Sequence, residues 1–354
     1  METSLSTRSI PQKTREYHLP NSNGFQDLTL TEAPIPRLRS TEVLLKIHAV
    51  SLQYRDLVIA KGQYPFNQKE NVIPGSDAAG EILAVGEDVK DWKVGERVSV
   101  NFSLDHIFGD ATEETVETAL GAQVDGVLTE NKAVPAHALV RIPEFLSYEE
   151  ASTLPCAAVS AYNGLFGGKP TLKGGDIVLV QGTGGVSIFG LQIAVASGAT
   201  VIATSSSDKK LETAKKLGAK YVINYKTTPN WEEQVLKLTN GRGVDHVLEV
   251  GGPATVIKSA KATRYGGNLS VIGIVAGPGD ASQLPLFVHG KGLHYRGIII
   301  GSRQQFEDLI RLIEAVKLKP VVDKVFDFEH TREAYEYLES QQHVGKVVIK
   351  VSRD

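Results

Sequence analysis

The chain has 354 residues, 42% of them hydrophobic and 22% charged, and a formal net charge of −3. These are the proportions of an ordinary soluble globular protein, with no electrostatic footprint for nucleic acid or an anionic membrane. A single cysteine, Cys156, rules out an internal disulfide and a Cys-rich zinc module, and no apolar stretch reaches the roughly 18 residues of a membrane span. At roughly 150 residues per domain, the length suggests two domains.

Residues 1–15 are polar and lack the apolar core of a secretory signal. Their Ser/Thr/Arg content would suit a mitochondrial presequence, but a disordered tail on a cytoplasmic protein is the more economical expectation. From there to about residue 145 the chain reads as β-rich with many turns. Residues 43–50 and 80–85 are strand-like, and residues 93–100 join a turn to a strand. From about residue 150 the period changes. Strands are expected at 177–180, 200–204, 221–223, 244–250, 269–274 and 295–300. Helices are expected between them at 186–197, at 208–217 with Asp208 as N-cap, and at 231–239. This alternation has the spacing of βαβ units, so an α/β fold with a parallel, doubly wound sheet follows. Amphipathic helices at 304–316 and 331–340 and a closing strand at 346–351 complete the chain.

The run Ile177-Val178-Leu179-Val180-Gln181-Gly182-Thr183-Gly184-Gly185-Val186-Ser187 reads as a buried strand, a glycine turn and a helix start. Such a turn holds a dinucleotide pyrophosphate: Gly182 permits the bend, and Gly184 lets backbone amides approach the phosphates. The positive end of the following helix then meets the negative charge. Thr183, Gly185 and Val186 complete this candidate cradle. The third glycine of G-x-G-x-x-G falls on Ser187. An NAD site usually has an acidic residue about 20 residues later, at the end of the second strand, for the ribose 2′-hydroxyl. Here that strand ends in Thr204-Ser205-Ser206-Ser207, with Asp208 arriving late. Ser205 and Ser206 can donate to a 2′-phosphate and Lys210 supplies charge, so NADP is the expected cofactor.

The ordered set Tyr54-Arg55-Asp56, Pro74-Gly75-Ser76-Asp77-Ala78-Ala79-Gly80, Val94-Gly95-Glu96-Arg97-Val98, the Gly182 turn and His343-Val344-Gly345-Lys346-Val347-Val348-Ile349 resembles the medium-chain dehydrogenase/reductase superfamily. In particular it resembles the quinone oxidoreductase-like branch, which does without zinc. The resemblance implies a GroES-like catalytic domain made discontinuously of residues 1–148 and 302–354. A Rossmann domain of residues 149–301 would hold NADP, with the active-site cleft between the two. It places Lys210 and Tyr225 around the 2′-phosphate. Zinc relatives would have ligands where this chain has Gln53, the Ser76-Asp77 pair and Cys156, a poor zinc set, so no metal is expected.

The implied activity is NADPH-dependent hydride transfer to a quinone or α,β-unsaturated carbonyl. A metal-free alcohol dehydrogenase or carbonyl reductase is the alternative, as is a relative that binds nucleotide without catalysis. The substrate would be a small molecule, with neither nucleic acid nor membrane as partner. Candidate polar groups in the cleft are Gln53, Tyr54, Tyr64 and Ser160, Tyr64 as a hydrogen-bond donor to substrate and Asp56 as a cap rather than a base. Val250, Gly251, Ile272, Gly273 and Ile274, at strand ends, should line the nicotinamide. Residues 101–124, with Phe102 and Phe108, form either a flap or a surface excursion. By analogy with the superfamily, the strand at 294–300 would pair across a homodimer.

Overall fold

The structure, a computed structural model, describes residues 10–35 and 37–352. Residues 1–9 of the expected tail lie outside them. Lys13, Thr14 and Arg15 are not tail. They open the strand Lys13–His18, which pairs antiparallel with Thr29–Pro34. Thr14 and Tyr17 are buried, and the Thr14 hydroxyl lies 3.0 Å from that of Thr129. A polar residue whose hydrogen-bonding partner is itself buried reads from sequence as solvent-facing, which hides this strand.

Six strands form a wholly parallel sheet in the spatial order Tyr221–Asn224, Thr200–Ser205, Ile177–Gln181, Val244–Glu249, Thr263–Val271, His294–Gly297. In chain order this is 3-2-1-4-5-6, the doubly wound arrangement. Its inner strands are buried on both faces because both are covered. Val178, Val180, Val201, Ala203 and Leu248 enter one buried cluster, while Leu179, Ile202, Val247 and Leu269 enter another. Each fully buried Val, Leu or Ile contributes about 1.5–3 kcal/mol. The strand order reverses between Ile177–Gln181 and Val244–Glu249, which opens a crevice at their carboxyl ends.

A seven-stranded sheet runs Val322–Asp327, Lys346–Lys350, Glu42–Ser51, Asp77–Val85, Arg97–Val100, Leu139–Arg141, with Asn131–Pro135 also on Glu42–Ser51. The chain's last strand is therefore built into the sheet begun by its first third: Ile349 stands opposite Val50 and Val348 opposite Ser51. The buried cluster on this sheet takes in Val43, Leu45, Ile47, Val347 and Ile349, together with the fully buried Tyr335.

Most boundaries agree with the sequence reading to within a residue, and within the parallel sheet the larger differences lie in the last two strands. The fifth strand is Thr263–Val271 rather than 269–274, and the sixth ends at Gly297. The N-cap of the helix Asp208–Lys216 is Ser207, not Asp208. Asp208 sits inside the first turn, where its carboxylate accepts from Asn224 Nδ2 at 2.9 Å. The helix Arg303–Val316 buries Phe306, Leu309, Ile310 and Ile313 in the cluster that holds Val178 and Val180. That cluster also takes in Val140 and Ile142, so this helix packs where the two halves of the molecule meet.

Candidate active site

The strand Ile177–Gln181 turns at Gly182, whose φ of 73° lies in the left-handed region and whose missing Cβ would face open space. Gly184 then caps the helix Gly185–Ala196. Ser187, the off-pattern third position, is buried and donates its hydroxyl to the Gln181 carbonyl at 2.5 Å. Close packing of helix on strand falls instead to Gly190, where a Cβ would stand 2.3 Å from Leu248 Cδ1.

Over this turn lies a cavity of about 260 Å³. It brings together Gly182, Thr183, Gly184, Gly185, Val186, Ser205, Ser206, Lys210, Tyr225 and Val250 with Gln53 and Tyr54 from the β-rich half. Other expected residues are not on its wall. Tyr64 is drawn to Arg55, whose Nε donates to the Tyr64 hydroxyl at 3.0 Å and whose guanidinium lies 4.9 Å from its ring and 4.8 Å from that of Phe102. Gly251 lines an adjoining cavity of about 340 Å³ with Thr204, Tyr225 and Trp231. Ile272 packs against the core, a Cβ on Gly273 would meet the Val250 carbonyl at 2.8 Å, and Ile274 is largely exposed; Val275 reaches the cavity in their place. Ser160 is buried, with its hydroxyl unpartnered.

The sequence reading missed the return loop. Gln341, His343, Gly345 and Lys346 all line the cavity. Gly345 N–H donates to the Thr183 carbonyl at 2.9 Å, and Lys210 Nζ donates to the Gln341 carbonyl at 2.5 Å. The segment His343-Val344-Gly345-Lys346 is visible as a superfamily marker, but from sequence it reads only as the approach to a strand. Glu249 was missed too. Wholly buried, it accepts from Gln181 Nε2 at 2.9 Å, from Gly251 and Gly252 N–H at 2.7 and 2.9 Å, and from Thr255 Oγ1 at 2.6 Å. It thereby fixes the turn after Val250.

Behind Gln53 on the facing wall lies a buried polar group. Asp77 Oδ2 accepts from Gln53 Nε2 at 2.6 Å and from Cys156 N–H at 3.0 Å, and Oδ1 accepts from the Ser76 hydroxyl at 2.6 Å. Burial pushes the Asp77 carboxyl up to about 6, against the pull of Lys346. Burial likewise pushes the Cys156 thiol up and the Lys346 ammonium down. Lys346 Nζ donates to the Leu52 carbonyl. Asp56 closes a capping box at the helix Tyr54–Ala60, its Oδ2 accepting from Gln53 N–H at 2.7 Å.

Gln53, Asp77 and Cys156 do come together, but they do not fit a zinc ion. Zinc takes thiolate, imidazole or free carboxylate donors. Here Cys156 is the only soft donor of the three and no described imidazole joins it, both carboxylate oxygens are engaged, and the Lys346 ammonium stands nearby. Among the described residues no three His, Cys, Asp or Glu side chains are grouped to hold a metal. The dinucleotide does fit: an open glycine turn, a helix start and a cavity meet at the sheet's switch point.

A doubly wound sheet with this turn, closed against a β-rich domain, defines a nucleotide-binding dehydrogenase. Residues 39–144 match the family description alcohol dehydrogenase GroES-like domain, and residues 185–315 match zinc-binding dehydrogenase. A zinc-type alcohol dehydrogenase-like protein of Schizosaccharomyces pombe is 49% identical over 93% of this chain and 96% of its own. An acryloyl-coenzyme A reductase of Metallosphaera sedula is 31% identical over 92% and 96%. A Sinorhizobium meliloti crystal structure, provisionally named alcohol dehydrogenase, superposes with a TM-score of 0.89 at 38% identity, covering 97% of this chain and all of that one. The chain belongs to the medium-chain dehydrogenase/reductase superfamily and is an oxidoreductase of that family.

Proposed function

We propose that the protein is an NADPH-dependent, metal-independent reductase of conjugated acceptors, a quinone or an α,β-unsaturated carbonyl. The observation that carries this reading is the polar group behind Gln53: both oxygens of Asp77 are hydrogen-bonded, Cys156 is the one soft donor, and among the described residues no metal-binding set stands beside them. A simple carbonyl needs strong polarisation to accept hydride, whereas a conjugated acceptor spreads the developing charge and needs less. When bound, NADPH supplies the hydride. The Gly182 turn would hold its pyrophosphate, and Ser205, Ser206, Lys210 and Tyr225 its 2′-phosphate. No Asp or Glu is among the described residues lining the cavity over that turn, so no carboxylate stands on its wall against the phosphate. Gln53 and Tyr54 would orient the acceptor from the opposite wall. The name of the acryloyl-coenzyme A reductase relative supports the reading.

The test is NADPH oxidation with an enone or a quinone against a simple aldehyde, with metal analysis of the same preparation. Turnover of the conjugated acceptor, insensitive to a chelator, is expected. Aldehyde turnover that is lost to a chelator, with one zinc per chain, would overturn the proposal.

A further inference from the structure

We propose that His343 is a proton-linked ligand for the cofactor's 2′-phosphate, neutral in the free protein and protonated once that phosphate is bound. The inference rests on the NADP reading and extends it to a residue on the opposite domain. His343 lines the cavity with Ser206 and Lys210, and its buried Nδ1 has no hydrogen-bond partner among the described residues. Its loop is tied to the phosphate side of the site, since Lys210 Nζ holds the carbonyl of Gln341, two residues earlier.

The charged and titratable groups around His343 come from four elements. Lys210 faces it from the helix Asp208–Lys216, and Lys346 from the closing strand. Asp323 faces it from the strand Val322–Asp327, but its carboxylate already accepts from the Tyr337 hydroxyl at 2.6 Å and from Val344 N–H at 3.1 Å. The Tyr337 ring, on the helix Thr331–Glu339, lies 6.5 Å from the imidazole. Burial and the two lysines hold His343 down to about 4, so it is neutral at physiological pH. A phosphate monoester brings a charge of about −1.5 to −2, more than one lysine neutralises. Together with Asp323 it outweighs Lys210 and Lys346 and favours imidazolium. Binding then takes up a proton, and NADPH affinity falls as pH rises through the bound-state value. NADH lacks this phosphate and should show no such dependence.

The test is titration calorimetry at pH 6.5 in buffers of different ionisation enthalpy, with NADPH and NADH, on the wild type, His343→Asn and His343→Lys. The lysines also draw a proton off the phosphate itself, so the informative quantity is the wild-type proton count minus that of His343→Asn. Expected is a net uptake with NADPH only, and about tenfold weaker NADPH binding in His343→Asn. NADH affinity should change less than twofold, and His343→Lys should retain NADPH affinity without the uptake. Equal proton counts in wild type and His343→Asn would overturn the proposal, as would equal uptake with both nucleotides. Wild-type protein that binds NADPH no more tightly than NADH would instead overturn the NADP reading.

Discussion

At Asp77, burial and hydrogen bonding pull in opposite directions, and burial wins: the carboxyl titrates at about 6. The native state therefore holds this proton more tightly than the unfolded chain, whose value is 3.8. The sign follows: stability from this group is full below about 4, declines as pH rises to about 6, and is flat above. Asp77→Asn removes the ionisation, and the Ser76 hydroxyl can turn to accept from the new amide. Urea unfolding at pH 4.5 and 7 should show a larger loss in wild type than in the variant, and parallel profiles would refute the assignment. Lys210 offers a second residue-scale prediction. Lys210→Ala should weaken NADPH binding at least tenfold, by loss of a charged contact of about 1.5–3 kcal/mol, with NADH affinity little changed. Unchanged NADPH affinity would remove Lys210 from the phosphate site.

At the scale of elements, Asp245 pins the starts of three strands. It accepts from Arg242 at 2.9 and 2.7 Å, from Arg264 Nε at 2.5 Å and from Ile177 N–H at 2.9 Å. Burial alone would raise its carboxyl, yet these bonds hold it well below the usual range. Its stabilisation is present above about 4 and is lost as pH falls through the lower folded-state value. Asp245→Ala should cost about 1–3 kcal/mol in denaturant unfolding, since the part-buried Ile177 N–H loses its acceptor, while the two guanidinium groups it also leaves are partly exposed to water. The partnership could not be read from sequence, because Asp245 and Ile177 meet only through sheet pairing. The central strands were legible for the opposite reason: burial on both faces makes 177–180 an apolar run and puts Val244, Val247, Leu248 and Val250 into 244–250. The fifth strand was legible only in its second half, since Thr263 to Gly267 carries Arg, Tyr and two glycines around a register shift. In the site, the Gly182 turn and Ser205, Ser206 and Lys210 were readable because local sequence sets them, whereas Tyr225 came only from the family resemblance. His343 and Lys346 were not, because only the tertiary fold brings them to the cavity, and neither was Glu249, which meets Gln181 only through sheet pairing.

At the scale of the whole molecule, the parallel sheet ends at His294–Gly297, with no further strand beyond it among the described residues. That edge carries unpaired backbone groups, and Tyr295 and Ile299 beside it are 45% and 56% exposed. An exposed apolar edge is a template for pairing, and a two-fold axis through it would cover the same residues on both copies. The protein is therefore expected to be a homodimer, with light scattering giving twice the 38.2 kDa chain mass. Because such an interface is isologous, a charge placed at its centre meets its own copy. Tyr295→Asp combined with Ile299→Asp should yield monomer. No residue of this strand lines the cavity over the Gly182 turn, so the monomeric variant should keep wild-type NADPH affinity. A wild-type protein that runs as a monomer at all concentrations would refute the interface, and a variant that stays dimeric would move it to another face.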